Sequence, residues 1–285
     1  MSLDPRVRER EYSPSSCIGG DYAPYVERYR IESERAHRTV SVRRDLRYGA
    51  APRALIDFFP APASPAAAGL LVYVHGGYWQ ELSKDDSAFL APAWHAAGFA
   101  HAVVGYTLAP QARLPAIVDE CRAALAWLRE QAAALGFDPQ NIVVAGSSAG
   151  GYLAAAAAGQ PSRDALHPQP GMIPAGIVTV SGIFDLAPLV GTSINDALAL
   201  DAATAATLDL LKVPPSCPAV VAWGEIETSE FKRQSRAFAS GLAARGTPCT
   251  SLEIAGRNHF DVVLDLGDPD SALFAATRRL FAAGA

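Results

Sequence analysis

The 285-residue sequence predicts an α/β domain, a mainly parallel central sheet with helices on both faces. Two patterns carry that reading. Short apolar runs rich in Val and Ile alternate with stretches whose apolar residues recur every three or four positions. In addition, Asn141-Ile142-Val143-Val144-Ala145 runs straight into Gly146-Ser147-Ser148-Ala149-Gly150 and then into an Ala-rich helical stretch, a strand, a sharp turn and a helix without a linker. Half of the chain is hydrophobic and 19% is charged, a composition that can close one sizeable core. No internal repeat or compositional break divides it, so residues 1–285 read as one domain.

The elements follow in order. Residues 21–38 predict a helix with Tyr25, Val26, Tyr29 and Ile31 on or near one face and charge around the rest. This N-terminal arm (about 1–45) is expected to pack plainly against the body; a cap over an active site is the alternative. Residues 47–59 are of β type and 60–68 form an Ala/Pro-rich surface loop. Residues 69–74 and 99–105 are buried strands, the second marked by Val103 and Val104. In 117–135, Ile117, Cys121, Leu125 and Leu128 repeat at helical spacing, and Asp138-Pro139 opens the loop before the strand at 141–145. Further strands are expected at 175–181, 218–223 and, more weakly, 250–254, with a last helix over 270–283. The low-charge stretch at about 185–212 interrupts the alternation and predicts a small helical excursion over the strand ends, where binding loops gather.

Composition narrows the partners. The net charge is −5, from 24 Lys and Arg against 29 Asp and Glu, with no basic block, which argues against nucleic acid or an acidic membrane surface. The polar start Met1-Ser2-Leu3-Asp4-Pro5-Arg6 and the lack of a long uncharged apolar run lead to the expectation of a cytoplasmic protein. Cys17, Cys121, Cys217 and Cys249 have neither CxxC nor Cys/His spacing, so free thiols are expected, without a metal site or cofactor. A homodimer is left open.

The chemistry centres on Ser148. In Gly146-Ser147-Ser148-Ala149-Gly150 the small flanking residues let a strained turn expose the serine hydroxyl, and this setting resembles the nucleophile elbow of the α/β-hydrolases. Such a serine needs a base and a carboxylate to orient the base, in the chain order Ser, acid, His. His259, in Gly256-Arg257-Asn258-His259-Phe260 between the last strand and the last helix, is the candidate base. His37, His75, His95, His101 and His167 are read as structural. The loop opening at Gly224 offers Glu225, Glu227 and Glu230 and no aspartate; spacing from Gly224 selects Glu227 over Glu225, and Glu230 reads as a first-turn helix charge. Backbone N–H groups of Gly77, Tyr78 and Ala149 are the candidate oxyanion hole, the first two from His75-Gly76-Gly77-Tyr78-Trp79, a form of the His-Gly-Gly-Gly motif. Tyr78, Trp79, Phe184 and Phe260 lie at or near these loops and are candidate contacts for an aromatic substrate, core packing being the alternative for Trp79 and Phe184.

Along most of its length the sequence resembles the kynurenine formamidase (arylformamidase) branch of the α/β-hydrolases, close to hormone-sensitive-lipase-like esterases. The resemblance runs through His75-Gly76-Gly77-Tyr78-Trp79-Gln80, Tyr106-Thr107-Leu108-Ala109-Pro110, Ser148-Ala149-Gly150-Gly151, Ser181-Gly182-Ile183-Phe184-Asp185-Leu186, Glu230-Phe231-Lys232-Arg233-Gln234-Ser235 and Asn258-His259-Phe260. It implies the triad Ser148, Glu227 and His259. Two positions depart from the family pattern: the acid is glutamate where aspartate is usual, and Ser147 stands where histidine is commoner. The reading is therefore a cofactor-free serine hydrolase cleaving an aryl formamide, or a related small aromatic amide or ester, with water as co-substrate. A broad short-chain carboxylesterase is the alternative, and a silent binding protein on the same scaffold is the reading from another class.

Overall fold

A computed structural model describes residues 4–62, 68–158 and 173–282. Among these residues eight strands, β1 (Arg43–Arg47), β2 (Leu55–Phe59), β3 (Leu70–Val74), β4 (Ala100–Val104), β5 (Ile142–Ser147), β6 (Gly176–Val180), β7 (Ala219–Ile226) and β8 (Cys249–Asn258), form one sheet in the order 1-2-4-3-5-6-7-8. β1 and β2 pair antiparallel, as do β2 and β4; every other neighbour is parallel. The α-helices among the described residues are α1 (Pro5–Glu11), α2 (Ala23–Thr39), α3 (Ala91–Ala96), α4 (Leu114–Leu135), α5 (Ala149–Ala157), α6 (Asn195–Leu198), α7 (Ala202–Thr207), α8 (Ser229–Ala244) and α9 (Ala272–Ala282). The expected mainly parallel α/β sheet, covered on both faces, is what the chain forms.

Side-chain alternation along the strands divides the core in two. Leu70, Val72 and Val74 of β3 point to one face, with Ile117, Leu125 and Leu128 of α4 and Phe238 of α8. Leu71 and Tyr73 point to the other, with Tyr29 of α2, Trp94 of α3 and Phe274 of α9. Central strands buried on both faces explain the near-continuous apolar runs in the sequence.

Several boundaries move. The β-type segment 47–59 is the last residue of β1, a turn and β2. β8 continues past the expected 250–254 to Asn258, which delivers His259 at a strand end. α4 begins three residues early at Leu114, with proline inside its first turn, where its missing N–H costs nothing. Ile31 does not share the buried face of α2: it is 50% exposed, because two residues beyond buried Tyr29 is more than half a helical turn away. Part of the 60–68 loop, His167 and the end of the 270–283 helix lie outside the described residues.

Two buried polar groups matter for the framework. Asp57 on β2 takes hydrogen bonds from the Asp45 N–H (2.9 Å) and Lys84 Nζ (3.0 Å), with His37 Nε2 of α2 at 3.0 Å. Burial alone raises its pKa, but these partners outweigh burial and hold it at about 2. His101 on β4 donates from Nδ1 to the Leu71 carbonyl (3.1 Å), while its buried Nε2 has no partner. The second N–H of a charged imidazole, at Nε2, would find neither water nor an acceptor, and burial lowers the pKa to about 3.

His101 is thus neutral when folded and takes up a proton below about pH 6.5 when unfolded. The unfolded state then binds more protons, so stability falls as the pH drops from about 6.5 toward 3. Asp57 adds to the loss only below about pH 4, as protonation approaches its folded value of about 2. The urea midpoint is expected to decline between pH 7 and pH 4.5, and the decline to be shallower in His101→Phe. Equal slopes in the two proteins would show that His101 is not a source of the acid sensitivity.

Candidate active site

The order of the strands reverses at β3, whose neighbours are β4 on one side and β5 on the other. The loops leaving β3 and β5 therefore diverge and open a crevice beyond the carboxyl ends of the strands. Ser148 stands there between β5 and α5 with φ 55° and ψ −121°, a conformation costly for a residue with a side chain. It is possible only because the turn is flanked by glycines. A Cβ on Gly146 would come within 2.1 Å of the Gly150 carbonyl oxygen, and one on Gly150 within 2.1 Å of the Val74 carbonyl oxygen. Ala149 opens α5 directly behind the serine and is buried.

The β3 loop meets the same turn. A Cβ on Gly76 would stand 2.8 Å from the Ser147 carbonyl oxygen, so Gly76 is needed where the two backbones touch. Gly77, Tyr78 and Trp79 follow with φ of 92°, 48° and 60°, a left-handed path that curls the loop around the crevice. The Gly77 carbonyl accepts from the N–H groups of Gln80 (2.8 Å) and Glu81 (2.9 Å), closing the curl. His75 is a buried structural residue. Its Nδ1 donates to the Gly76 carbonyl (2.9 Å), its ring stacks on Tyr106 at 4.2 Å, and burial lowers its pKa to about 4.

Of the three candidate acids, Glu227 faces the histidine: its Oε2 lies 3.2 Å from His259 Nδ1. Its other oxygen accepts from the Gly224 N–H (2.6 Å) and the Ser181 hydroxyl (2.5 Å), so both oxygens are engaged. Pairing of β7 with β8 runs from Gly224 opposite Ile254 to Ile226 opposite Asn258, and the extra β8 residues form a bulge opposite Glu225. Glu225 is exposed and accepts from the Gly256 N–H at 2.8 Å; Glu230 pairs with Arg233 and the Tyr12 hydroxyl.

Ser148, His259, Gly76, Gly77 and Tyr78 share the wall of a cavity of about 350 Å³. Phe260 lines it as well, but Trp79 and Phe184 do not. Both are fully buried. Trp79 sits edge-on to Tyr152, turned inward by its positive φ, and Phe184 stacks on Phe238 at 3.8 Å. They are core aromatics rather than contacts for a ligand.

The residues that sequence reasoning missed come from the N-terminal arm. Tyr12, Ser13, Pro14 and Ser15, with Tyr22, Val26 and Tyr29, form one side of the cavity, so plain packing understates the arm's part. α2 also grips the loop on both sides of His259. The Asn258 side-chain amide donates to the Tyr25 hydroxyl (3.0 Å), the Tyr29 hydroxyl donates to the Phe260 carbonyl, and Tyr22 stacks on Phe260 at 5.3 Å. The signal was present as tyrosines at 22, 25 and 29, one helical face, but nothing local names the partner. At the arm's start, Glu11 holds the opening of α8 through the Ser229 hydroxyl (2.5 Å), and its carbonyl accepts from the Thr228 hydroxyl (2.6 Å), one residue past Glu227.

Among the described residues no cluster of three or more His, Cys, Asp and Glu side chains offers a metal cage, and no helix is long and apolar enough to cross a membrane. A family model described as the alpha/beta hydrolase fold matches residues 71–262. The kynurenine formamidase of Danio rerio is 30% identical over 284 residues, covering 95% of this chain and 94% of that protein. An ethyl acetate hydrolase of Pseudomonas putida is 44% identical over 105 residues, but only 35% of this chain and 32% of that protein are covered. Among solved structures, a thioesterase candidate from Silicibacter sp. tm1040 superposes with a TM-score of 0.82 at 27% identity, over 94% of this chain and 97% of that one. Joined to a mainly parallel sheet with its serine elbow at the strand reversal, these likenesses make the chain a member of the kynurenine formamidase branch of the α/β-hydrolases and an enzyme of the serine hydrolase type.

Proposed function

We propose that the chain hydrolyses an aryl formamide of the N-formyl-kynurenine kind, or a closely related small aromatic amide or ester, through an acyl-serine. The observation that carries this reading is the His259–Glu227 contact, 3.2 Å between Nδ1 and Oε2, on a cavity wall shared with Ser148. Glu227 keeps the proton on Nδ1 and leaves Nε2 free to take the Ser148 proton. The serine oxygen then attacks the formyl carbon. The resulting oxyanion is held by the N–H groups of Gly77, Tyr78 and Ala149, each such donor lowering the barrier by about 3 kcal/mol. His259 returns the proton to the nitrogen as the C–N bond breaks and the arylamine leaves. Water, deprotonated by His259, attacks the formyl-serine; formate departs and the serine regains its proton.

The aromatic preference rests on Tyr22, Tyr29, Phe89 and Phe260 in the cavity wall, and the volume of about 350 Å³ suits one substituted benzene ring with a short side chain. The near full-length likeness to the kynurenine formamidase of Danio rerio supports the formamide over the ester as leaving chemistry. The partial likeness to an ethyl acetate hydrolase keeps the esterase as the alternative outcome of the test.

The test compares kcat/KM for N-formyl-L-kynurenine and formanilide with that for p-nitrophenyl acetate and butyrate. Formamide turnover equal to or above the best ester is expected; strong ester cleavage with negligible formamide cleavage would make the protein a carboxylesterase. Ser148→Ala is expected to lower kcat by about 10⁴-fold or more, and Glu227→Gln by about 10³-fold or more. Glu225→Gln should stay within about twofold of the parent, since Glu225 bonds only a surface turn of β8. A Glu225 variant as impaired as the Glu227 variant would overturn the assignment of the acid.

A further inference from the structure

The cavity is uneven in charge. Among the described residues of its wall, Glu81 is the one carboxylate, and no lysine or arginine is present. The main chain of Glu81 is held by the curl that carries Gly77, through its N–H to the Gly77 carbonyl (2.9 Å), and its side chain is exposed at the cavity wall. Its carboxylate accepts from the Tyr22 hydroxyl at 3.1 Å, and the Tyr22 ring lies parallel to Phe260 at 5.3 Å, with both rings on the cavity wall. A carboxylate next to aromatic rings is the chemistry that receives an ammonium group, by charge and by the ring quadrupole together. Among the described residues of the wall a substrate carboxylate would find no lysine or arginine to pair with, and it would meet the field of a chain with net charge −5.

We infer that Glu81, with Tyr22 and Phe260, forms an ammonium subsite, and that the preferred substrate is an aryl formamide whose side chain ends in a cation and carries no carboxylate. This rests on the formamidase reading for the reacting end of the substrate, and it adds the identity of the other end. The zwitterionic amino acid is then accepted through its ammonium group, and its carboxylate weakens binding.

The experiment uses four 2-formamidophenyl ketones that differ only at the side-chain terminus: ammonium, α-amino acid, neutral methyl and carboxylate. The same four termini are placed on phenyl acetates, and kcat/KM is measured for the wild type, Glu81→Gln and Glu81→Lys. The expected wild-type order is ammonium, then amino acid and neutral close together, then carboxylate, with about fivefold between ammonium and neutral, the size of a partly solvated ion pair. The preference, taken in each protein relative to its own rate on the neutral terminus, should shrink in 0.5 M salt, vanish in Glu81→Gln and reverse in Glu81→Lys. Equal rates for all termini in the wild type, or an unchanged order in Glu81→Lys, would overturn the subsite. The acetates keep the two readings apart. Ordered acetates with inert formamides would retain the subsite and reject the formamidase, whereas cleaved formamides without order would do the opposite.

Discussion

Where β3 and β5 end side by side, two backbones come closer than side chains would permit. Gly150, in the first turn of α5, rests against the Val74 carbonyl, and Gly76 rests against the Ser147 carbonyl, so a methyl group at either glycine would fall within 2.1 Å or 2.8 Å of an oxygen. That contact fixes the Ser148 hydroxyl relative to the amides of the β3 loop to within what two touching backbones allow. The strain at Ser148, φ 55°, is sustained because the sheet on one side and α5 on the other leave the turn no other path. Rigid placement of this kind is what an oxyanion hole requires, since its donors act only if they are already aimed when charge develops.

The other half of the site is held differently. His259 follows the last residue of β8, an edge strand, and Glu227 follows β7, so neither has covered backbone on all sides. Their positions are set by hydrogen bonds from distant parts of the chain: Ser181 on Glu227, Tyr25 on Asn258 and Tyr29 on Phe260. Two of these come from α2, which is itself tied to the sheet at its other end by the His37–Asp57 contact of 3.0 Å. The arm thus spans from the ionic cluster around buried Asp57 to the histidine loop. Glu11, at the end of α1, reaches the start of α8 beside Glu227. An arm that touches both the Glu227 loop and the His259 loop, and also walls the cavity, is part of the framework that holds them.

These two modes of support explain what could be read from the sequence. The parallel sheet, the elbow and the β3 loop were legible because each is a local device: apolar runs buried on both faces, and glycines needed where backbones meet. His259 was legible by its place in the chain order. Glu227 was separable from Glu225 only by spacing; the Ser181 hydroxyl that holds its carboxylate comes from 46 positions away in the chain. Trp79 follows Tyr78 in sequence but not onto the cavity wall: its backbone φ is positive and its ring packs against Tyr152 in the core. Ile31 misled because a single apolar residue on a charged helix carries no direction of its own; the buried face is defined by Tyr29, Ser33 and Ala36.

The tyrosines of α2 show most clearly where local reading stops. Their helical spacing announced a shared face, but the face has two duties that a pattern of hydropathy does not separate. Tyr29 packs on Phe89 at 5.1 Å, with both residues on the cavity wall, while its hydroxyl bonds the loop that carries His259. Tyr22, at the open end of the same face, stacks on Phe260 and directs its hydroxyl to Glu81. In both, the ring packs on an aromatic neighbour, while the hydroxyl bonds a backbone carbonyl at one turn of the helix and a carboxylate two turns earlier. Only the partner distinguishes them, and the partners lie some 60 to 230 positions away in the chain.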